Sequence, residues 1–455
     1  MRLKKNKAAE VSRITFITFM QSLYLTLKSY LSNNLFVYAA ACTFGFLFSF
    51  IPIVMMILVV LIRFLHLSPE TVTNFLSPFL SNTSVLNFDN FITSITEIHP
   101  VTNFEIVLGF AIVYMARRFF SSVLGSLRKI FGKEQKTNSL FMQLVIIVGE
   151  VIIVVLISAL IALVLTARTV IKFPSLNKII FQFDWLKDII ETFFTSSFPL
   201  FLIFIVVLLA YKAGSRTKPP LFFCTLMSSG TTLVFWIYWR LMKIFLNVNK
   251  YNIIYGVLSN TIVLLSEVYI FFMVFLFFAQ WLYVAQFFDT LLICELYLLP
   301  TRDDTSLLST LKRILFIKPE FLLRHDSSVM KIAEDNFIYQ KNDNAENVYY
   351  IFSGRVRLTD NFHISELDKG NFIGVESCMI EEPRQEDAYA ITDLELIRIP
   401  RDIFVNLIEN APEANKKALS QVSSYFVKTI SRKNNIENNT NNASKSENKA
   451  EKKQN

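Results

Sequence analysis

Long apolar runs fill the chain from Leu35 to Phe288, and a polar, strand-like alternation takes over after Asp326. A run of about 20 apolar residues spans a hydrocarbon core of about 30 Å, whereas a period of two marks a half-buried strand. The runs predict membrane helices at about 35–63, 104–124, 140–167, 190–212, 220–246 and 253–288. Polar residues interrupt them. Ser49 and Pro52 fall inside the first run and Pro199 inside the fourth. In lipid a proline frees a carbonyl one turn back, which a neighbouring helix or hydroxyl must satisfy. Ala41 and Gly45, four residues apart, make a smooth face for close helix approach, serving either packing or a hinge.

Past the last run, residues 289–332 mix charge with apolar periodicity (Leu308, Leu311, Leu315, Phe316) and predict one or two linking helices. Short β-rich segments follow at 337–339, 348–352, 356–358 and 394–399, separated by turns such as Ser353-Gly354 and Lys369-Gly370-Asn371. Many short strands with glycine corners suggest a jelly-roll. Helix is expected again from Arg401 to about Ser431, and 433–455 lacks the apolar residues to fold.

The expected architecture is an all-α polytopic membrane bundle of six transmembrane helices, followed by a small β-roll with flanking helices. Its domains are a cytoplasmic segment 1–34, the bundle 35–288, a helical linker 289–329, the β domain 330–432 and a solvated tail 433–455.

Composition agrees. Of 455 residues, 53% are hydrophobic, with 45 phenylalanines and only 11 glycines, which excludes a disordered or collagen-like chain. The net charge of +8 sits mainly beside apolar runs, as topology selection places it, so no nucleic-acid partner is expected. Basic residues precede the first run, the segment from His66 to Asn103 has none, and Arg117, Arg118, Arg128 and Lys129 follow. This bias puts both termini in the cytoplasm. The third connection, with Arg168, Lys172, Lys178 and Lys187, runs against it. Met1–Lys7 is basic with no short apolar region and cleavage site behind it, so the first run should remain as a helix.

Candidate chemistry is sparse. Glu150 and Glu267 lie within the third and sixth runs, where an uncompensated charge costs about 2.5–3.5 kcal/mol or more. Each needs a partner, water or a proton, and Arg117 or Arg118 could pair with Glu150. A relay through the bundle and a buried structural ion pair both remain open. The cysteines (Cys42, Cys224, Cys294, Cys378) and histidines (His66, His99, His325, His363) are dispersed, and no Walker loop or nucleophile elbow occurs. Neither metal site nor enzyme is expected.

Tyr38-Ala39-Ala40-Ala41 leading to Ser49-Phe50-Ile51-Pro52 resembles the opening of the YihY/BrkB family of bacterial inner-membrane proteins. Tyr251 to Gly256 is similar to the Tyr-Gly element before that family's last span, and Ala279-Gln280 stands where it carries Gly-Ala-Glu. Ser266-Glu267 replaces its aromatic residues. The resemblance covers about 20–290 and implies six spans with cytoplasmic ends, and transport. The ribonuclease label also attached to the family would need a dense His/Asp constellation, which is missing.

Residues 330–430 resemble a cyclic nucleotide-binding domain, through Tyr349-Tyr350-Ile351-Phe352-Ser353-Gly354, Gly370-Asn371-Phe372-Ile373-Gly374, Pro383-Arg384 and Ile399-Pro400-Arg401. In that pattern Arg384 takes the phosphate arginine's place. Val375 takes the ribose glutamate's place, leaving Glu376 one position late and turned away. Glu386 and Asp387 replace the usual Ala-Thr, and carboxylates at about 4 Å repel a phosphate by about 1–4 kcal/mol each. Arg384 could pair with one of them. A cyclic nucleotide is therefore not expected as a cofactor.

The leading expectation is a membrane transporter or lipid- or solute-handling bundle, regulated or assembled by a degenerate cytoplasmic domain. Membrane lipids, an unidentified cargo and a homo-oligomer through that domain would be its partners. The alternative is a membrane-anchored signalling or scaffold protein whose domain binds a nucleotide or a partner protein.

Overall fold

Asn33 and Asn34 divide the first helical stretch in two. Asn34 adopts φ 53°, the left-handed conformation that asparagine tolerates where a helix ends. In the computed structural model α1 (Phe16–Ser32) precedes this corner and α2 (Leu35–Val59) follows it, with a 68° bend between them. Helix α1 falls in the segment 1–34 and was not anticipated. The structure describes residues 16–64, 68, 103–132, 149, 155, 157–162, 198–215, 217–245, 257–299, 307–316, 329–360, 363–409 and 413–427. Contacts divide the chain into two units, 26–286 and 1–25 with 287–455.

The first unit is helical. After α2, which stays helical through Pro52, a π-helical turn (Val60–Phe64) leads away. Helices α3 (Asn103–Phe131), α4 (Phe198–Gly214), α5 (Leu221–Phe245) and α6 (Val257–Gln286) complete the labelled set, and 157–162 is a helical fragment. Helix α6 is the hub: Phe272, Phe275, Leu276 and Ala279 pack in one cluster with Cys42 of α2, Leu127 of α3, Tyr211 of α4 and Met227 of α5. Helix α5 carries an apolar face away from that core, with Leu221, Phe222, Leu226, Leu233 and Ile237 exposed. Such a face suits lipid rather than water.

Among the described residues, Leu221–Met242 and Ile262–Gln286 are each long and apolar enough to cross a membrane. The bent α1–α2 pair would count as a third span, and Phe198–Gly214 is a shorter apolar helix. Most of the run expected at 140–167, and 190–197, lie outside the described residues. Pro199 lies in the first turn of the described α4, where a missing N–H costs little.

Close approach occurs where the sequence placed it, on a slightly different face. A Cβ on Gly45 would stand 3.2 Å from the Phe119 Cα and 3.2 Å from the Ser122 Oγ of α3. Ala39, Cys42 and Ser49, at helical spacing, are buried beside it. Ala41, expected on this face, is exposed.

The second unit contains the β domain. Helices α7 (Phe288–Tyr297) and α8 (Leu307–Phe316) precede it, and Gln21 of α1 donates to the Leu315 carbonyl at 2.8 Å. Strands β1 (Val329–Ile332), β8 (Leu394–Pro400), β3 (Asn347–Ser353) and β6 (Phe372–Ile373) form one antiparallel sheet in that order. The other runs β2 (Phe337–Tyr339), β7 (Asp387–Ala390), β4 (Arg355–Asp360) and β5 (His363–Asp368). Alternation decides the inward face: Val356 and Leu358 of β4 and Ala388 and Ala390 of β7 are buried, with their neighbours more open. Gly354, at φ +95°, turns β3 into β4, where a Cβ would stand 2.5 Å from the Asp393 carbonyl oxygen. Helix α9 (Val375–Ile380) sits between β6 and β7. Helices α10 (Arg401–Glu409) and α11 (413–427) close the domain.

Candidate functional site

In the helical unit, polar groups gather on the inner faces of the helices. The Tyr211 ring of α4 stacks on Phe275 of α6, with centroids 5.1 Å apart. Its hydroxyl donates to the Phe275 carbonyl at 2.8 Å and lies 2.9 Å from the Thr231 hydroxyl of α5. Thr231 also reaches the Met227 carbonyl at 2.9 Å, so three contacts share only two hydroxyl protons. One turn back on α5, the buried Ser228 Oγ has no hydrogen-bond partner among the described residues. Between α2 and α3, the Cys42 Sγ and Ser126 Oγ are 3.2 Å apart. Gln280, at the degraded Gly-Ala-Glu position, is buried and accepts from Asn33 at 3.4 Å. Polar groups buried in lipid must be bonded internally, and these largely are.

Glu267 lies five residues into the segment Ile262–Gln286, about 8 Å along at the helical rise of 1.5 Å per residue. It is half-buried and nearer one end of that span than its centre, and Tyr238 of α5 is within its electrostatic reach. Arg117 is half-buried and Arg118 exposed on α3. Glu150 and Gly256 lie outside the described residues, so the expected Glu150–arginine pairing does too.

In the β domain the predicted cassette residues do come together. Gly374 takes the left-handed conformation at φ 73°, ψ 23° and starts α9. Val375 then points into the core, 1% exposed. Arg384 is 2% exposed and turns inward, not toward an acid. Its guanidinium donates to the Gly374 carbonyl at 2.7 Å and to the Asn347 carbonyl, and it lies 4.4 Å from the Tyr339 ring centroid. A Cβ on Gly374 would run into that guanidinium. The backbone is fastened as well: the Arg384 N–H donates to the Asp343 carbonyl, and the Asn342 N–H to the Arg384 carbonyl. An acid, Glu386 or Asp387, is the partner expected for Arg384 from residue types alone. The left-handed turn at Gly374 presents a nearer acceptor, its own carbonyl.

The acids stand apart from that arginine. The Asp387 Oδ1 accepts the Lys341 N–H at 2.7 Å. Glu386 faces Tyr339, whose hydroxyl donates across a long 3.5 Å. Burial pushes the Glu386 carboxyl up to about 7, aided by the charges of Glu376 and Asp360 and opposed by Tyr339 and Arg384. Glu376, expected to turn away, thus remains within electrostatic reach of the cassette. Burial also raises Tyr339 well above the usual phenol range.

Residues 329–411 match the model of the cyclic nucleotide-binding domain. A lysophospholipase of Aspergillus oryzae is 29% identical over 119 residues, and one of Neurospora crassa 25% over 119. Each match covers 24% of this chain, which spans only 8% of the length of those relatives. Among solved structures, the sensor domain of the regulator DNR from Pseudomonas aeruginosa is 15% identical with a TM-score of 0.20, covering 21% of this chain and 72% of that one. The regulatory domain of Toxoplasma gondii PKA with cAMP is 17% identical with a TM-score of 0.19, covering 20% and 38%. The helical unit gives the broader match. Residues 26–288, more than half of the chain, fit the model described as virulence factor BrkB, and the chain belongs to that membrane-protein family.

Proposed function

We propose that the helical unit moves a solute or lipid across a bacterial inner membrane, and that the β domain regulates or assembles it. The observation that carries this reading is a carboxylate, Glu267, within an apolar span of a bundle whose inner faces hold Tyr211, Thr231, Ser228 and Gln280. Ionisable and polar groups are costly at membrane depth and cluster along ion and substrate paths. Native mass spectrometry of the purified chain identifies the retained cargo, and its flux is then measured in sealed vesicles. Glu150→Gln and Glu267→Gln should each lower flux at least tenfold at unchanged protein yield. Unchanged flux in both variants would leave the helices as an anchor for a signalling or scaffold domain.

Both termini face the cytoplasm in this reading, on the basic-residue bias of the first two connections. A reporter fused after Asn455 should signal from the cytosol; a periplasmic signal overturns the orientation.

A cyclic nucleotide plays no part in it. The residues at the cassette fit such a ligand poorly: the arginine is committed to two carbonyls, and Glu386 and Glu376, within electrostatic reach of the cassette, would repel a phosphate. The domain acts instead by docking or by self-association.

A further inference from the structure

A cleft of about 860 Å³ opens within the β-domain unit, away from the cassette. It lies among the end of α7, helix α8, the β4–β5 hairpin base and α11. Arg313, Arg355, Lys369 and Lys417 line it, against two acids, Glu366 and Asp368. Glu366 is already held by Arg357 at 2.9 Å. Among the described residues no carboxylate pairs with Arg313, Arg355 or Lys369. Lys417 is fixed in place: its ammonium donates to the Tyr297 carbonyl and lies 4.8 Å from the Tyr297 ring centroid. The Tyr297 ring meets Phe372 edge-on at 5.4 Å, giving the cleft an apolar wall.

This is the makeup of an anion site. Ligand pockets occupy about 300–1,000 Å³ and combine apolar walls with a few converging polar groups. Guanidinium forks match phosphate oxygens bidentately, and uncommitted arginines can donate without first breaking a protein ion pair. With Glu366 held by Arg357, the four bases outnumber the remaining acid, Asp368, and an anion would offset that excess. We propose that this cleft binds a phosphate-bearing anion through Arg313, Arg355, Lys369 and Lys417, where the linker helices, the hairpin and α11 meet. The ligand joins elements distant in sequence, so its binding would order the junction of linker and β domain. The inference is independent of what the membrane helices carry.

The same chemistry could come from a soluble phosphate compound or a phospholipid headgroup, and two probes separate them. The full-length protein in uncharged detergent is titrated with inorganic pyrophosphate. Separately it is titrated with phosphatidylcholine vesicles with and without phosphatidylglycerol. Binding of either probe is expected to weaken at least tenfold in the Arg313→Gln/Arg355→Gln double variant. It should be unchanged in Lys331→Gln, which removes a surface cation paired to Glu395 elsewhere in the domain. Pyrophosphate binding with this pattern assigns a soluble ligand, and phosphatidylglycerol-dependent binding alone assigns a headgroup. Absence of binding to both probes overturns the proposal. So does binding unaffected by the double variant, or weakened as much by Lys331→Gln. The Arg313→Lys/Arg355→Lys variant, which keeps the charge, guards against misfolding: it should recover part of the affinity, and failure to do so when folded counts against the site.

Discussion

Replacing Arg384 by alanine should unravel the β domain with no ligand present. The substitution strands the Gly374 and Asn347 carbonyls and empties the space over Tyr339. An unsatisfied buried polar group costs about 1–3 kcal/mol, and the cavity adds to that, for a total of about 3–5 kcal/mol. Amide hydrogen exchange on the full-length protein reads the loss directly. Protection in β3 and β6 should fall about a hundredfold or more, since each 1.4 kcal/mol is about a factor of ten. Lysine should not rescue it, because an ammonium lacks the fork that spans two carbonyls. Unchanged protection would mean that the arginine is held in reserve for a ligand.

Glu386→Gln should stabilise the same domain at pH 8 and much less at pH 5. The folded carboxyl titrates at about 7, raised from 4.5 first by burial and then by Glu376 and Asp360. A raised acid holds its proton more tightly in the folded state. Its contribution to stability is therefore complete below about 4.5 and lost as pH rises through about 7. Glutamine stays neutral throughout, so the variant gains on the parent across that window. Every tenfold gain in proton affinity on folding corresponds to about 1.4 kcal/mol, and partial exposure reduces the total to about 2 kcal/mol at pH 8. Hydrogen exchange of β2 and β7 at the two pH values, corrected for intrinsic rates, measures it. Equal gains at pH 5 and 8 would show that the carboxyl does not titrate in this window.

Much of the fold could be read from residue spacing. The expected strands at 337–339, 348–352, 356–358 and 394–399 lie in β2, β3, β4 and β8, because alternation and turn glycines are local signals. Helix α1 was not legible, because Thr18, Gln21, Ser22, Thr26 and Lys28 break its apolar pattern. The Asn33-Asn34 pair could have revealed its end. Within the cassette, residue types located Arg384 and Glu386, but partner choice depended on which way a left-handed backbone aimed a carbonyl. The anion cleft left no mark in the sequence, as Arg313, Lys369 and Lys417 come from segments separated by long stretches of chain.

Arg384, inward and doubly tethered, changes what its presence signifies. A side chain that braces its own framework is needed for an intact fold, whether or not any messenger ever docks beside it. The pattern that marks this module can therefore outlive the occupation it was named for.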